Sequence, residues 1–309
     1  MRHINILILL LTGIFSLTGT FTSQAKSSKK QKNMVLIHAK NQSFIMGMDQ
    51  SELFDNEPVK GWANYVGKHK VLFTYDFFMD KNLVSQADYQ ELMNYNPSGN
   101  NTGDLNLPVE KISYYDAVLY CNARSKQEKL DPAYSYTSVE RKENSISKLV
   151  DLTCDIKKNG YRLPTNAEYE YAERAKTTGK YFFLKDGKDV NVVGNKYAWS
   201  INQSGFTYEK GGIFTHPVGI QKANPWGIYD LIGNLFEWCE DWDAPYPTSN
   251  QIDPVGPDNG PEGMKVAKGG SYRTDIAYHM RIAYHYKWPP DNTGGEIGFR
   301  CVATKKNKK

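Results

Sequence analysis

Lys268-Gly-Gly-Ser-Tyr-Arg-Thr-Asp-Ile-Ala-Tyr-His-Met-Arg281, with the closing run Gly298-Phe-Arg-Cys301, is the stretch on which the reading of this 309-residue chain turns. Gly-Gly-Ser marks a tight turn, with glycines where the backbone must take positive φ. Asp275 and His279 follow four residues apart, with His285 beyond. On a helix the first two would share a face and could ligate a metal; in a loop the spacing carries no such meaning. The chain contains no nucleophile elbow, zinc motif, dinucleotide fingerprint or glycine-rich phosphate loop.

Working outward, three helix starts are legible. Ser85-Gln-Ala-Asp88, Ser113-Tyr-Tyr-Asp116 and Thr165-Asn-Ala-Glu168 each place a hydroxyl at the N-cap and a carboxylate three residues on. The hydroxyl accepts an orphan N–H, and the acid meets the positive helix end. In the second helix Tyr114, Ala117, Val118 and Cys121 fall on one face; in the third, Ala167, Tyr171 and Ala172 do so less cleanly. Glu168 and Glu170 read as a cap and an ion-pair partner rather than an acid/base dyad. Met34–Ile37, Val71–Tyr75 and Arg300–Ala303 read as strands from their β-branched and aromatic content. Tyr136–Val150 and Asp243–Gly263 read as irregular.

The ends differ from the middle. A short polar start, an apolar run over Ile4–Phe15 and the small-residue site Ser23-Gln-Ala25 read as a secretory signal, residues 1–25. The run is too short for a comfortable membrane span. The formal charge of +4 includes nine basic residues at the two ends: Arg2, Lys26, Lys29, Lys30, Lys32, Lys305, Lys306, Lys308 and Lys309. Without these nine the remainder stands at −5, so the expected organisation is a basic linker over 26–33, a domain over 34–304 and a basic tail over 305–309. Basic ends on an acidic body argue against nucleic acid as partner. Four cysteines in an exported chain suggest bridging. An exported, periplasmic, cell-envelope or secreted location is expected.

Five further motifs recur in a fixed order. They are Phe44-Ile-Met-Gly47, with Glu57-Pro58 after it; Val84-Ser-Gln-Ala-Asp-Tyr89, with Asn96-Pro-Ser98; Pro108-Val-Glu-Lys-Ile-Ser-Tyr-Tyr-Asp-Ala117; Gly160-Tyr-Arg-Leu-Pro-Thr-Asn-Ala-Glu-Tyr-Glu-Tyr-Ala172; and Gly227-Ile-Tyr-Asp-Leu-Ile-Gly-Asn-Leu-Phe-Glu-Trp238. Together with Lys268–Arg281 they make the chain resemble the formylglycine-generating enzyme family, also called sulfatase-modifying factors. The resemblance implies an irregular, loop-rich α+β single domain with a C-type-lectin-like core.

Its implications for chemistry are mixed. Active members carry a cysteine pair just after Gly-Gly-Ser, which holds copper and bonds to the substrate cysteine; here those positions are Thr274 and His279. Copper(I) calls for soft thiolates, and neither replacement supplies one. Copper is therefore not expected. Ser271 and Trp238 match family positions lining the oxygen-side pocket, or else serve as a turn serine and a core tryptophan. The resemblance assigns a structural calcium to the Glu237 side chain and the Ile232, Gly233 and Leu235 carbonyls. The alternative is a buried Glu237 paired with Arg162 or Arg300. A second family calcium site is not legible in Tyr197–Val218. The family joins the positions of Cys121 and Cys301 by a disulfide; Cys154 and Cys239 either pair or stay as buried thiols.

Three functional readings follow. One is an exported binding or assembly module of the cell envelope, silent as a formylglycine-generating oxidase, that holds a protein or peptide partner. The second is an oxidoreductase of the family using His279 and different metal chemistry. The third keeps sulfatase activation, with Cys239 as a substitute thiol beside Trp238.

Overall fold

The protein was analysed as a computed structural model, which describes residues 33–49, 67–142, 145–184, 190–201 and 214–306. The signal expected over 1–25, Glu57-Pro58 and most of the 26–33 linker lie outside the described residues.

The expected helix starts form as their chemistry requires. Helix α1 (Gln86–Met93) is capped by Ser85, whose side chain accepts the Asp88 N–H. Helix α2 (Tyr114–Gln127) begins with a reciprocal capping box between Ser113 and Asp116. Helix α3 (Asn166–Arg174) begins with another, between Thr165 and Glu168. These caps satisfy backbone donors that a helix cannot pair internally. In α2 the expected face of Tyr114, Ala117, Val118 and Cys121 is buried. All nine residues of α3 are buried, which explains its unclear amphipathic pattern. Its charges are tolerated because Glu168 pairs with Arg162 at 2.6 Å and Glu170 with Arg174 at 2.6 Å.

One four-stranded antiparallel sheet runs Met34–Ile37, Phe77–Asp80, Val302–Thr304, Tyr161–Arg162. A second runs Tyr286–Trp288, Lys265–Lys268, Phe236–Trp242, Ile297–Gly298, the last pair parallel. A third joins Gln251–Ile252, His69–Leu72 and Ser43–Met46. With the helices this is the α+β architecture expected. Of the strand expected over Val71–Tyr75 only Val71 and Leu72 form, as the end of His69–Leu72; Phe73 makes an isolated bridge with Lys40, and Thr74 and Tyr75 bend before the next strand, Phe77–Asp80. The stretch Tyr136–Val150, expected to be irregular, contains an antiparallel hairpin of Ser138–Lys142 and Ser145–Val150. Ser138–Lys142 has one apolar residue, Val139, so no period-two pattern is legible there, and neither strand belongs to a larger sheet. Among the described residues no helix is long and apolar enough to cross a membrane.

The strand Phe236–Trp242 organises the interior. Phe236 and Trp238 point into a cluster with Tyr114, Val118, Cys121, Phe299 and Cys301. Cys239 belongs to a second cluster, with Phe73, Phe77, Tyr171 and Val302. Successive side chains of a strand leave on opposite faces. One strand therefore supplies an aromatic anchor to one core and, on its other face, Glu237, Cys239 and Asp241.

Candidate functional site

The Gly269-Gly270-Ser271 turn has φ of +89° and +77° at its two glycines. A Cβ on Gly269 would lie 2.7 Å from the Tyr169 hydroxyl, and one on Gly270 would lie 2.7 Å from the Met280 side chain. Only glycine fits both the dihedral and the space. The turn delivers Ser271 and Thr274 to each other. Thr274 Oγ1 accepts the Ser271 N–H at 2.8 Å and donates to the Ser271 carbonyl at 2.9 Å. Ser271 Oγ donates to Glu296 Oε2 at 2.8 Å and accepts the Arg273 N–H at 3.1 Å. Arg273 and Glu296 form a partly exposed ion pair at 3.4 Å.

The other family-pocket residues make contacts of their own. Trp238 is fully buried; its indole N–H donates to the Ile112 carbonyl at 3.2 Å, and its ring meets Tyr114 and Trp288 edge-on. His279 ends the one-turn helix Ile276–His279, with its ring edge-on to Tyr284 at 5.3 Å. Asp275 caps that helix through the Ala277 N–H. The metal set of Asp275, His279 and His285 does not form. His285 instead pairs with Asp243 at 2.9 Å, and Asp243 also pairs with Lys287 at 3.0 Å. Among the described residues no cluster of three or more His, Cys, Asp or Glu side chains could hold a metal ion. Two clefts, of about 610 and 480 Å³, open on the described surface, and none of Ser271, Trp238, Thr274 or His279 lines either one.

The thiol expected as a substitute is in the wrong place. Cys239 is wholly buried in the second cluster, on the face opposite Trp238. Burial, with Asp241 nearby, pushes its thiol well above the ordinary range, so little thiolate is available. The sulfurs of Cys121 and Cys301, 180 residues apart in sequence, face each other at 3.7 Å in the first cluster.

Glu237 decides between the two readings of its motif. Arg300 grips its carboxylate, with Nε at 2.6 Å from Oε2 and Nη2 at 2.7 Å from Oε1. The Tyr169 hydroxyl donates to Oε1 at 2.9 Å. Arg300 also donates to the carbonyls of Tyr229 and Asp230. The calcium set of Glu237 with the Ile232, Gly233 and Leu235 carbonyls therefore does not fit as arranged. Its one side-chain donor is already neutralised by a guanidinium that a cation would have to displace or repel. Asp230, which the sequence reading passed over, is buried beside this pair. Desolvation pushes its carboxyl up to about 6 despite an N–H bond from Gly219 at 2.7 Å. Glu296, also missed, could have been flagged by its closeness to Gly298-Phe-Arg-Cys301.

Comparison with known proteins identifies the family. The profile of the sulfatase-modifying factor enzyme 1-like domain matches residues 20–305, so the chain belongs to that family. It is 32% identical over 244 residues to the "Chaperone protein LppX" of Paenibacillus barcinonensis, a match covering 74% of this chain and 81% of that protein. It is 36% identical over 160 residues to the formylglycine-generating enzyme of Streptomyces coelicolor, covering 49% of each. The chain thus spans about half the length of that enzyme. Among solved structures, Treponema denticola variable protein 1 superposes with a TM-score of 0.72 at 28% identity, covering 88% of this chain and 95% of that one. PvdO from Pseudomonas aeruginosa shares the fold, with a TM-score of 0.60 at 21% identity, covering 90% of this chain and 97% of that one.

Proposed function

We propose that this protein is an exported binding or assembly module built on the sulfatase-modifying-factor fold, and that it does not generate formylglycine. The observation that carries the proposal is the pairing of Thr274 with Ser271, through two hydrogen bonds, at the place where the family's first thiol would stand. A hydroxyl engaged on its own turn neither gathers copper(I) nor exchanges with a substrate thiol. The buried Cys239 offers no replacement. Cys121 and Cys301 are free thiols in the structure, but their sulfurs lie 3.7 Å apart, near enough to join in an oxidising, extracytoplasmic compartment. The relative described as a chaperone supports a protein partner, in keeping with a module that holds another chain.

The test is direct. Purified protein, supplied with copper and oxygen, is incubated with a cysteine-containing sulfatase peptide, and the peptide is weighed by mass spectrometry. Unchanged peptide is the expected result. Conversion to the aldehyde overturns the proposal and returns the chain to the oxidoreductases of its family.

A further inference from the structure

The cleft of about 480 Å³ lies between the start of α3 and the loop 244–257. It shares no lining residue with the Ser271–Thr274 turn. Its walls are apolar and stiff: Met46, Pro245, Pro247, Pro257, Val266 and the Tyr246 ring. Ile252 and Val255 also line it, and they are 65% and 43% exposed. No lysine or arginine appears among the lining residues.

Its polar groups include two carboxylates, Asp241 and Asp253, the latter already accepting the Thr74 N–H and hydroxyl. Asn166, only 3% exposed, donates its Nδ2 to the Tyr246 hydroxyl, while its Oδ1 is buried with no hydrogen-bond partner. A buried amide oxygen left unpaired costs about 1–3 kcal/mol, so the site gains from a donor. Asp241 Oδ2 accepts the Asn166 N–H at 2.8 Å. Lys265, which is not part of the lining, is engaged by other groups. Its ammonium donates to the Glu240 carbonyl and lies over the Tyr114 and Trp242 rings. Burial accordingly holds the Asp241 carboxyl up at about 7, with the Glu240 and Glu168 charges adding to the rise and Lys265 opposing it. His69 Nδ1 lies 3.1 Å from the Gly67 carbonyl. A carbonyl only accepts, so Nδ1 carries a proton.

We propose that this cleft binds a protonated primary amine on a short aliphatic stem, the ammonium meeting Asp241 and Asn166 and the stem lying against Met46 and Val255. The chemistry matches point by point. Three N–H donors answer a set of acceptors, one positive charge answers a buried carboxyl that lacks one, and methylenes answer the proline and valine walls. Two sources share this chemistry: a lysine side chain of another polypeptide, and a free alkylamine.

Isothermal titration of the full chain with n-pentylamine, 1-pentanol and Nα-acetyl-lysine methylamide tests the proposal. Saturable one-to-one binding of the amines is expected, with the neutral alcohol weaker by about tenfold or more, the usual scale for one charged hydrogen-bonded contact. Asp241→Asn keeps an oxygen for the Asn166 N–H, so α3 keeps its start, and it should weaken amine binding about tenfold. Val255→Arg acts from an exposed position where folding is not at risk, and it should weaken the amines but not the alcohol. Tighter binding of the lysine derivative assigns a polypeptide ligand; equal binding assigns a free amine. No amine binding, equal binding of pentanol, or amine affinity unchanged in both folded variants overturns the proposal.

Discussion

Thr274 Oγ1 lies 2.8 Å from the backbone nitrogen of Ser271 and 2.9 Å from its carbonyl oxygen, bonding to both. The Gly-Gly-Ser turn is thereby closed on itself. In a sulfatase-modifying factor that makes formylglycine, the same place holds a thiol free to meet copper and substrate.

Thr274→Ala should destabilise the protein by about 1–2 kcal/mol, the scale of two net hydrogen bonds, while Thr274→Ser should be close to neutral. Urea unfolding followed by tryptophan fluorescence reads the difference. The double variant Thr274→Cys/His279→Cys should bind copper(I) more tightly than the parent in competition with a chromogenic chelator. Equal copper affinity of parent and double variant would show that the pocket no longer has the family's shape.

Cys121 and Cys301 should be joined in protein prepared under oxidising conditions. Intact mass after alkylation without reductant should then show two fewer modifiable thiols than after reduction. The bridge would close a loop of 180 residues, worth about 5 kcal/mol by loop entropy. Reduction should accordingly lower the melting temperature. Full alkylation of both thiols in oxidised, denatured protein would rule the bridge out.

Glu237→Gln should cost about 3–5 kcal/mol, because it leaves the Arg300 guanidinium buried without its counter-charge. Replacing both partners, Glu237→Leu with Arg300→Met, should recover stability relative to either single variant. Since Arg300 neutralises Glu237, calcium chelation should leave the melting temperature of the parent unchanged. A fall on chelation would mean that the ion and the guanidinium share this carboxylate.

Stability should decline between pH 5 and pH 8. Three buried acids have carboxyls raised far by desolvation: Glu173 to about 8, Asp241 to about 7 and Asp230 to about 6. Over that window the folded state holds protons that the unfolded chain has released, so rising pH favours unfolding. Each group contributes up to about 1.4 kcal/mol per pH unit between its unfolded and folded pKa. Glu173→Gln should flatten the decline between pH 5 and pH 8, as read by calorimetric melting. A parent equally stable at both pH values would refute the assignment.

The sequence by itself determined the family, the three helix caps and the buried face of α2. Those signals are local: a cap reaches three residues, and a helical face repeats every three or four. The sequence also marked the absence of the thiol pair, because Thr274 and His279 are counted from a glycine turn. Tertiary structure decided the rest. Glu237 meets Arg300 across 63 residues, and His285 meets Asp243 across 42. The partner of a buried charge depends on which strands adjoin, and spacing does not carry that. The alternation of Phe236–Trp242 put Trp238 and Cys239 into different cores, though they are neighbours in sequence. The same alternation turned Asp241 toward Asn166, which α3 brings from 75 residues away. A cleft lined by Asp241 and Asp253 with no lysine or arginine arises only when these distant segments fold against one another.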